Sequence, residues 1–313
     1  MNSSFIPRLP LPVDRACSSS LVKPSLEIPG WRLISRLGGG TLTDVFAATT
    51  AGMPKSEPAA YAIKTLSENA AQNPDALIAL HNEALAGRQV KCPHVIPILG
   101  ANLREPPHYL VMPLLRGVSL EALLQTKIRL SLPAMLWIAR QVAEAIDAIQ
   151  IAGWVHGDVK PSNILVSPSG HVTLIDLGFA RRTLSASQPE DPHEQPFLGT
   201  LCYCAPELMI SRLRGDVRSD LYSLAVVLYE MLAGTMPFES HDPGEIVRRH
   251  REELPLDVRI LAPHIPAKIA RLINIMLSKD PLRRVQTAAE MIQRLTALEI
   301  ETFSQRSLVP IER

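Results

Sequence analysis

Between Trp31 and Met112 short apolar runs alternate with turn-rich segments. Trp31 to Leu37, Val45 to Thr49, Ala60 to Leu66, Ile98 to Leu103 and Tyr109 to Met112 each have the length and composition of a strand. One stretch breaks the rhythm: from Asp75 to Lys91, Leu77, Leu80, Ala84 and the small Gly87 recur at helical spacing. The first third therefore predicts a small, mostly antiparallel sheet with a single helix. Beyond Ser119 the period changes. Leu136, Ala139, Val142, Ile146 and Ile149 form one helical face, and Ala288, Met291, Leu295 and Leu298 another. Within this helical region, Ile164 to Ser167 and His171 to Leu174 bracket Pro168-Ser169-Gly170, a hairpin signal. The expected class is α+β: a sheet-rich lobe and a larger, mainly helical lobe, joined near Pro113 to Gly117, with a ligand cleft between them.

At 313 residues the chain has room for one large domain or two ordinary ones. With 46% hydrophobic and 20% charged residues it is a folding chain, not a disordered or collagen-like one. Residues 1–28, rich in Ser and Pro, read as a flexible leader, and 303–313 as a tail. Every apolar run of the leader is interrupted by Pro, Arg or Asp, which argues against a signal peptide. The longest later apolar window, Leu221 to Gly234, carries Glu230, so no membrane insertion is expected and the cytoplasm is the expected compartment. Lys plus Arg number 32 against 31 for Asp plus Glu, which gives no field for binding nucleic acid. Four cysteines are too few for a disulfide framework, and Cys202-x-Cys204 has no second pair to complete a zinc site. The nine histidines show no metal-ligand spacing on a shared helix face.

Candidate chemistry lies in three places. Gly38-Gly39-Gly40 stands between two predicted strands, where free backbone amides could approach a triphosphate, although such a hairpin is more often simply a turn. Lys64, flanked by apolar residues on a predicted strand, would need an anionic partner if buried; Glu83 on the following helix can supply one, and otherwise Lys64 is a strand-edge lysine reaching solvent. His156-Gly157-Asp158-Val159-Lys160-Pro161-Ser162-Asn163 follows a long predicted helix, and Asp176-Leu177-Gly178 follows the hairpin.

With these motifs in this order, residues 31 to 300 resemble the protein kinase family, whose signature set is an established template. The resemblance implies a bilobal kinase fold over 29–302, with an N-lobe of about 29–112, a hinge at 113–118 and a C-lobe of 119–302. It implies ATP and Mg2+ as cofactors: Gly38, Gly39 and Gly40 over the phosphates, Lys64 on the α and β phosphates, and Glu83 paired with Lys64. Val45, Ala62, Met112, Pro113, Leu115 and Leu165 would surround the adenine. Asp158 would orient the acceptor hydroxyl, Lys160 would neutralise the γ-phosphate, and Asn163 and Asp176 would hold the metal ions. Gly199 to Glu207 looks like the end of an activation segment, and Glu207 with Arg284 like the family's buried ion pair. Lys160 and Thr200 resemble serine/threonine kinases more than tyrosine kinases, and the stretch from Ser219 to Phe238 looks like the eukaryotic-like kinases of bacteria. The implied partners are ATP, an unidentified protein substrate and an activating protein. The alternatives are a pseudokinase acting as a nucleotide-sensing module, and a small-molecule phosphotransferase, whose catalytic loop also tends to read His-Gly-Asp.

The chain departs from the family pattern at several positions. Gly157 replaces the usual arginine before the catalytic aspartate, giving a non-RD loop, so phosphorylation at Thr183, Ser185, Ser187 or Thr200 is not expected to be required. Thr43 takes the place of the third loop glycine, and Asp44 adds an acidic group beside it. Leu177 replaces a phenylalanine, and Gly87 stands where the family packs a larger side chain. A thin hydrophobic stack is therefore expected, together with a mobile helix whose activity a leucine at 87 would raise. Ser119 and Ser162 stand where arginine-directed kinases carry carboxylates, which disfavours basic substrate motifs.

Overall fold

The computed structural model describes residues 26–126, 130–183, 201–210 and 215–306. The first lobe is a five-stranded antiparallel sheet in the order β1-β2-β3-β5-β4, built from β1 (Trp31–Gly39), β2 (Thr43–Thr50), β3 (Tyr61–Leu66), β4 (Gly100–Asn102) and β5 (Tyr109–Pro113). Between β3 and β4 runs α1 (Pro74–Gln89). It starts where the Asn73 side chain accepts the Asp75 N–H and Pro74 takes the first turn, where a missing amide costs nothing. The apolar face of α1, Leu80 and Ala84, packs with Ala62 of β3, Ile96, Ile98, and Leu110 and Met112 of β5. Packed structure begins earlier than the sequence predicts. Ile28 bridges to Trp31 and is buried against Ala48 and Ile63, so it belongs to the sheet lobe's core and not to the leader.

The second lobe opens with β6 (Val118–Ser119), α2 (Leu120–Leu124) and α3 (Leu132–Ile151). Next come β7 (Trp154–Val155), the hairpin β8 (Ile164–Val166) and β9 (Val172–Leu174), and β10 (Arg181–Arg182). The hairpin turns at Gly170, whose φ of +80° only glycine adopts readily. The helices α4 (Pro206–Ile210), α5 (Val217–Ala233), α6 (Pro243–Glu252), α7 (Val258–Leu261), α8 (Ala267–Met276) and α9 (Ala288–Arg306) complete the lobe. The helix α9 continues past residue 302.

The predicted helical faces are the ones that pack. Leu136, Val142, Ile146 and Ile149 of α3 share a core with Leu221, Leu224 and Leu228 of α5 and with Met291 and Leu295 of α9. Each fully buried Leu or Ile contributes about 1.5–3 kcal/mol relative to an exposed one. The apolar window from Leu221 is thus a helix buried nearly all round inside the lobe, capped by Asp216 on the Arg218 N–H and ended by Gly234 at φ +76°. No helix among the described residues is long and apolar enough to cross a membrane.

Candidate active site

The two lobes meet at a buried charge cluster. Lys64, near the middle of β3, is 5% exposed, so it does not reach solvent. Its Nζ lies 2.7 Å from Glu83 Oε2 on α1 and 2.8 Å from Asp176 Oδ1, just beyond β9. Burial alone would lower the Lys64 pKa, but the two carboxylates outweigh it and hold the ammonium above its ordinary value. Burial pushes the Glu83 carboxyl upward against the opposing charge of Lys64. Asp176 is half-buried, and although desolvation would raise its carboxyl, Lys64 and a 3.0 Å hydrogen bond donated by the Gly178 N–H hold it down at about 2. The backbone at Asp176 has φ +66°, the left-handed region that non-glycine residues rarely enter and that clusters at functional sites.

The segment from His156 to Asn163 leaves β7 and folds around Asp158, which is 6% exposed. Lys160 Nζ lies 2.7 Å from Asp158 Oδ2. The Asn163 side-chain amide donates to both the Asp158 main-chain carbonyl and Oδ2, at 2.9 Å each. This fixes the amide, because committing Nδ2 to Asp158 leaves Oδ1 as the oxygen to offer. The main-chain carbonyl of Asn163 accepts the Ile175 N–H at 2.8 Å, tying the loop to the strand end that carries Asp176.

Sequence reasoning passed over the support for this loop. Asp220 on α5, 2% exposed, accepts the His156 N–H at 2.8 Å and the Gly157 N–H at 2.9 Å. Its carboxyl is pushed up by burial and drawn back down by His156 and by these amides. The available signal was an acidic residue opening an otherwise apolar buried helix, since such a carboxylate must find donors.

Of the residues expected around adenine, Val45, Ala62, Met112 and Leu115 share one apolar cluster with Leu80 and Ile175. Leu165 is half-buried on β8 opposite Ser119. Pro113 closes β5 opposite Tyr61, and the next amide, Leu114 N–H, bonds to the Ala60 carbonyl. Ser119 is already occupied, its hydroxyl accepting the Ala122 N–H at the start of α2. The Gly38-Gly39-Gly40 run spans the β1–β2 turn, with Gly40 N–H bonded to the Thr43 carbonyl at 2.8 Å.

Two sequence expectations change. Gly87 does not leave a hole: a Cβ built there would run into Ile98 Cγ1, so Ile98 fills the space beside the helix. Leu177 is fully buried in the large-lobe core. Asp44 is also not a free charge, because Arg36 Nε and Nη2 bind its Oδ1 at 2.9 and 2.5 Å. Gly157 has φ +78°, and a Cβ would stand 2.8 Å from the Phe179 carbonyl oxygen, so backbone and space both select glycine. Thr183 is exposed and its N–H bonds to Gly153 O; Ser185, Ser187 and Thr200 lie outside the described residues. Glu207 and Arg284 pair at 2.7 and 2.8 Å, with the Arg284 side chain fully buried.

A sheet lobe and a helical lobe that converge on Lys64, Asp158, Asn163 and Asp176 define a kinase-type bilobal protein. The protein kinase domain family matches residues 31–295, and the chain belongs to it. It is similar to a probable serine/threonine-protein kinase of Clostridium perfringens, 29% identical over 88% of this chain and 40% of that protein. It is also similar to the serine/threonine-protein kinases PknE of Mycobacterium bovis, 31% identical over 83% and 44%, and PknB of Mycobacterium tuberculosis, 29% identical over 87% and 43%. The chain spans less than half the length of these curated relatives.

Proposed function

We propose that the chain is a serine/threonine protein kinase that transfers the γ-phosphoryl group of ATP, with Mg2+, to a protein hydroxyl. The observation that carries this reading is the Glu83–Lys64–Asp176 cluster, which joins β3, α1 and the end of β9 through two contacts under 3 Å. A kinase needs these three groups assembled before it can hold nucleotide productively.

The donor set fits magnesium, a hard cation that takes oxygen ligands. Asn163 would offer Oδ1, since its Nδ2 is committed to Asp158, and Asp176 would offer its second carboxylate oxygen, since Oδ1 serves Lys64 and the Gly178 N–H. When bound, the metal balances charge along the triphosphate. Lys64 would bind the α and β phosphates and Lys160 the γ-phosphate, while Asp158, held by Lys160 and Asn163, orients the acceptor hydroxyl and takes its proton. A bond forms from that oxygen to the γ-phosphorus as the bond to ADP breaks. The catalytic domain is proposed to occupy 29–302 together with Ile28, and Val45, Ala62, Met112, Pro113, Leu115 and Leu165 to enclose the base.

Transfer from γ-labelled ATP with magnesium to the chain itself and to a generic protein acceptor tests this. Wild type should yield phosphoserine or phosphothreonine, and Asp158→Ala should lose at least about 100-fold in rate. Nucleotide-dependent thermal stabilisation without any transfer would move the chain to the pseudokinase reading.

A further inference from the structure

The phosphate loop carries a charge pair that the family pattern does not call for. Arg36 lies on β1 two residues before the glycines, and Asp44 lies on β2 one residue after Thr43. Their side chains meet across the strands, with Nε and Nη2 of Arg36 both donating to Asp44 Oδ1. The pair folds over Gly39. A Cβ built at Gly39 would strike Asp44 Oδ1, would stand 2.5 Å from Arg36 Nη2 and would stand 2.9 Å from the Thr43 carbonyl oxygen, so no larger residue fits while the pair is in place. Asp44 is the less exposed member, its side chain 22% accessible against 55% for Arg36.

We propose that Arg36 is a positioning residue for nucleotide binding, neutralising the Asp44 carboxylate where it folds over Gly39 of the Gly38–Gly40 loop. The inference rests on the kinase reading above. A triphosphate would pass under this loop, and a carboxylate lying over Gly39 repels it once its guanidinium is removed. Electrostatics then make the two partners unequal. Removing Arg36 releases a negative charge beside the phosphate site, whereas removing Asp44 releases nothing anionic. A pair that mattered only by bracing the strands would instead make both removals equally harmful.

The test is calorimetric titration of the full chain with a non-hydrolysable ATP analogue and magnesium, alongside KM and kcat for ATP and the melting temperature. Arg36→Ala should weaken analogue binding and raise KM by about two- to fivefold, the affinity equivalent of an exposed ion pair. Its kcat and melting temperature should stay at wild-type values. Asp44→Ala should bind at least as tightly as wild type, Arg36→Ala combined with Asp44→Ala should match Asp44→Ala alone, and Arg36→Lys should recover most of the loss. The Arg36→Ala defect should shrink at high salt, where exposed charges are screened. Binding by Arg36→Ala equal to wild type, or equal losses from Arg36→Ala and Asp44→Ala, would overturn the role given to Arg36 and leave the kinase reading intact. A wild type that takes up no analogue would overturn both.

Discussion

Ile98 occupies the space that Gly87 leaves open on α1, and the two positions form one packing unit although Ile98 lies in the irregular segment before β4. The helix that carries Glu83 is therefore braced against the strand side of the lobe. Its Lys64 contact is already made in this structure, with Glu83 1% exposed.

Enlarging Gly87 should accordingly harm the protein. Gly87→Leu should lower stability by about 1–3 kcal/mol, the usual cost of overpacking a core, with no gain in basal activity. Chemical denaturation of Gly87→Leu, Ile98→Ala and the double variant measures it. The double should be more stable than the sum of the single losses, because the smaller residue at 98 makes room.

Asp220 satisfies two amides of the His156–Asn163 loop from inside the large lobe. Asp220→Asn keeps one acceptor oxygen and turns an NH2 toward the other amide, stranding a buried donor at a cost of about 1–3 kcal/mol. Since those amides belong to His156 and Gly157, immediately before Asp158, kcat should fall while KM for ATP holds. Steady-state kinetics beside a denaturation curve separates the loop effect from simple unfolding. A variant losing stability but retaining full kcat would show that Asp220 serves the fold alone.

His250 gives the protein an acid limit. It is fully buried on α6, its Nδ1 2.9 Å from the Tyr222 hydroxyl and its ring against Phe238; burial, with a contribution from Lys279, lowers its pKa to about 4. An ordinary histidine in the unfolded chain titrates near 6.5, so between these values the unfolded state binds more protons. Stability from the neutral imidazole is complete above about pH 6.5 and is lost as pH falls toward 4, by about 3 kcal/mol in all. Unfolding free energies of wild type and His250→Gln across pH 4 to 7 check this. The variant should lack that slope, and parallel curves would refute it. Asp176 adds nothing in this window, because its own loss comes between about 4 and 2.

The lobes, the single helix of the sheet lobe, the β8–β9 hairpin and the faces of α3 and α9 were legible in the chain because each depends on a local period or a turn residue. The motifs around Lys64, Asp158, Asn163 and Asp176 were legible through their resemblance to the protein kinase signature set, whose side chains stand at short, fixed spacings. What lay beyond the sequence was which distant groups would touch. Nothing in the run of letters says that Ile98 stands in for a side chain at 87, that Arg36 closes on Asp44, or that Asp220 reaches back 64 residues to the His156 amide. The sequence therefore determined the elements and the chemical inventory. Outside the pairs Lys64–Glu83 and Glu207–Arg284, which the motifs already implied, the tertiary structure alone decided the partners, because burial, charge neutralisation and the filling of space depend on distances that appear only once the chain has packed.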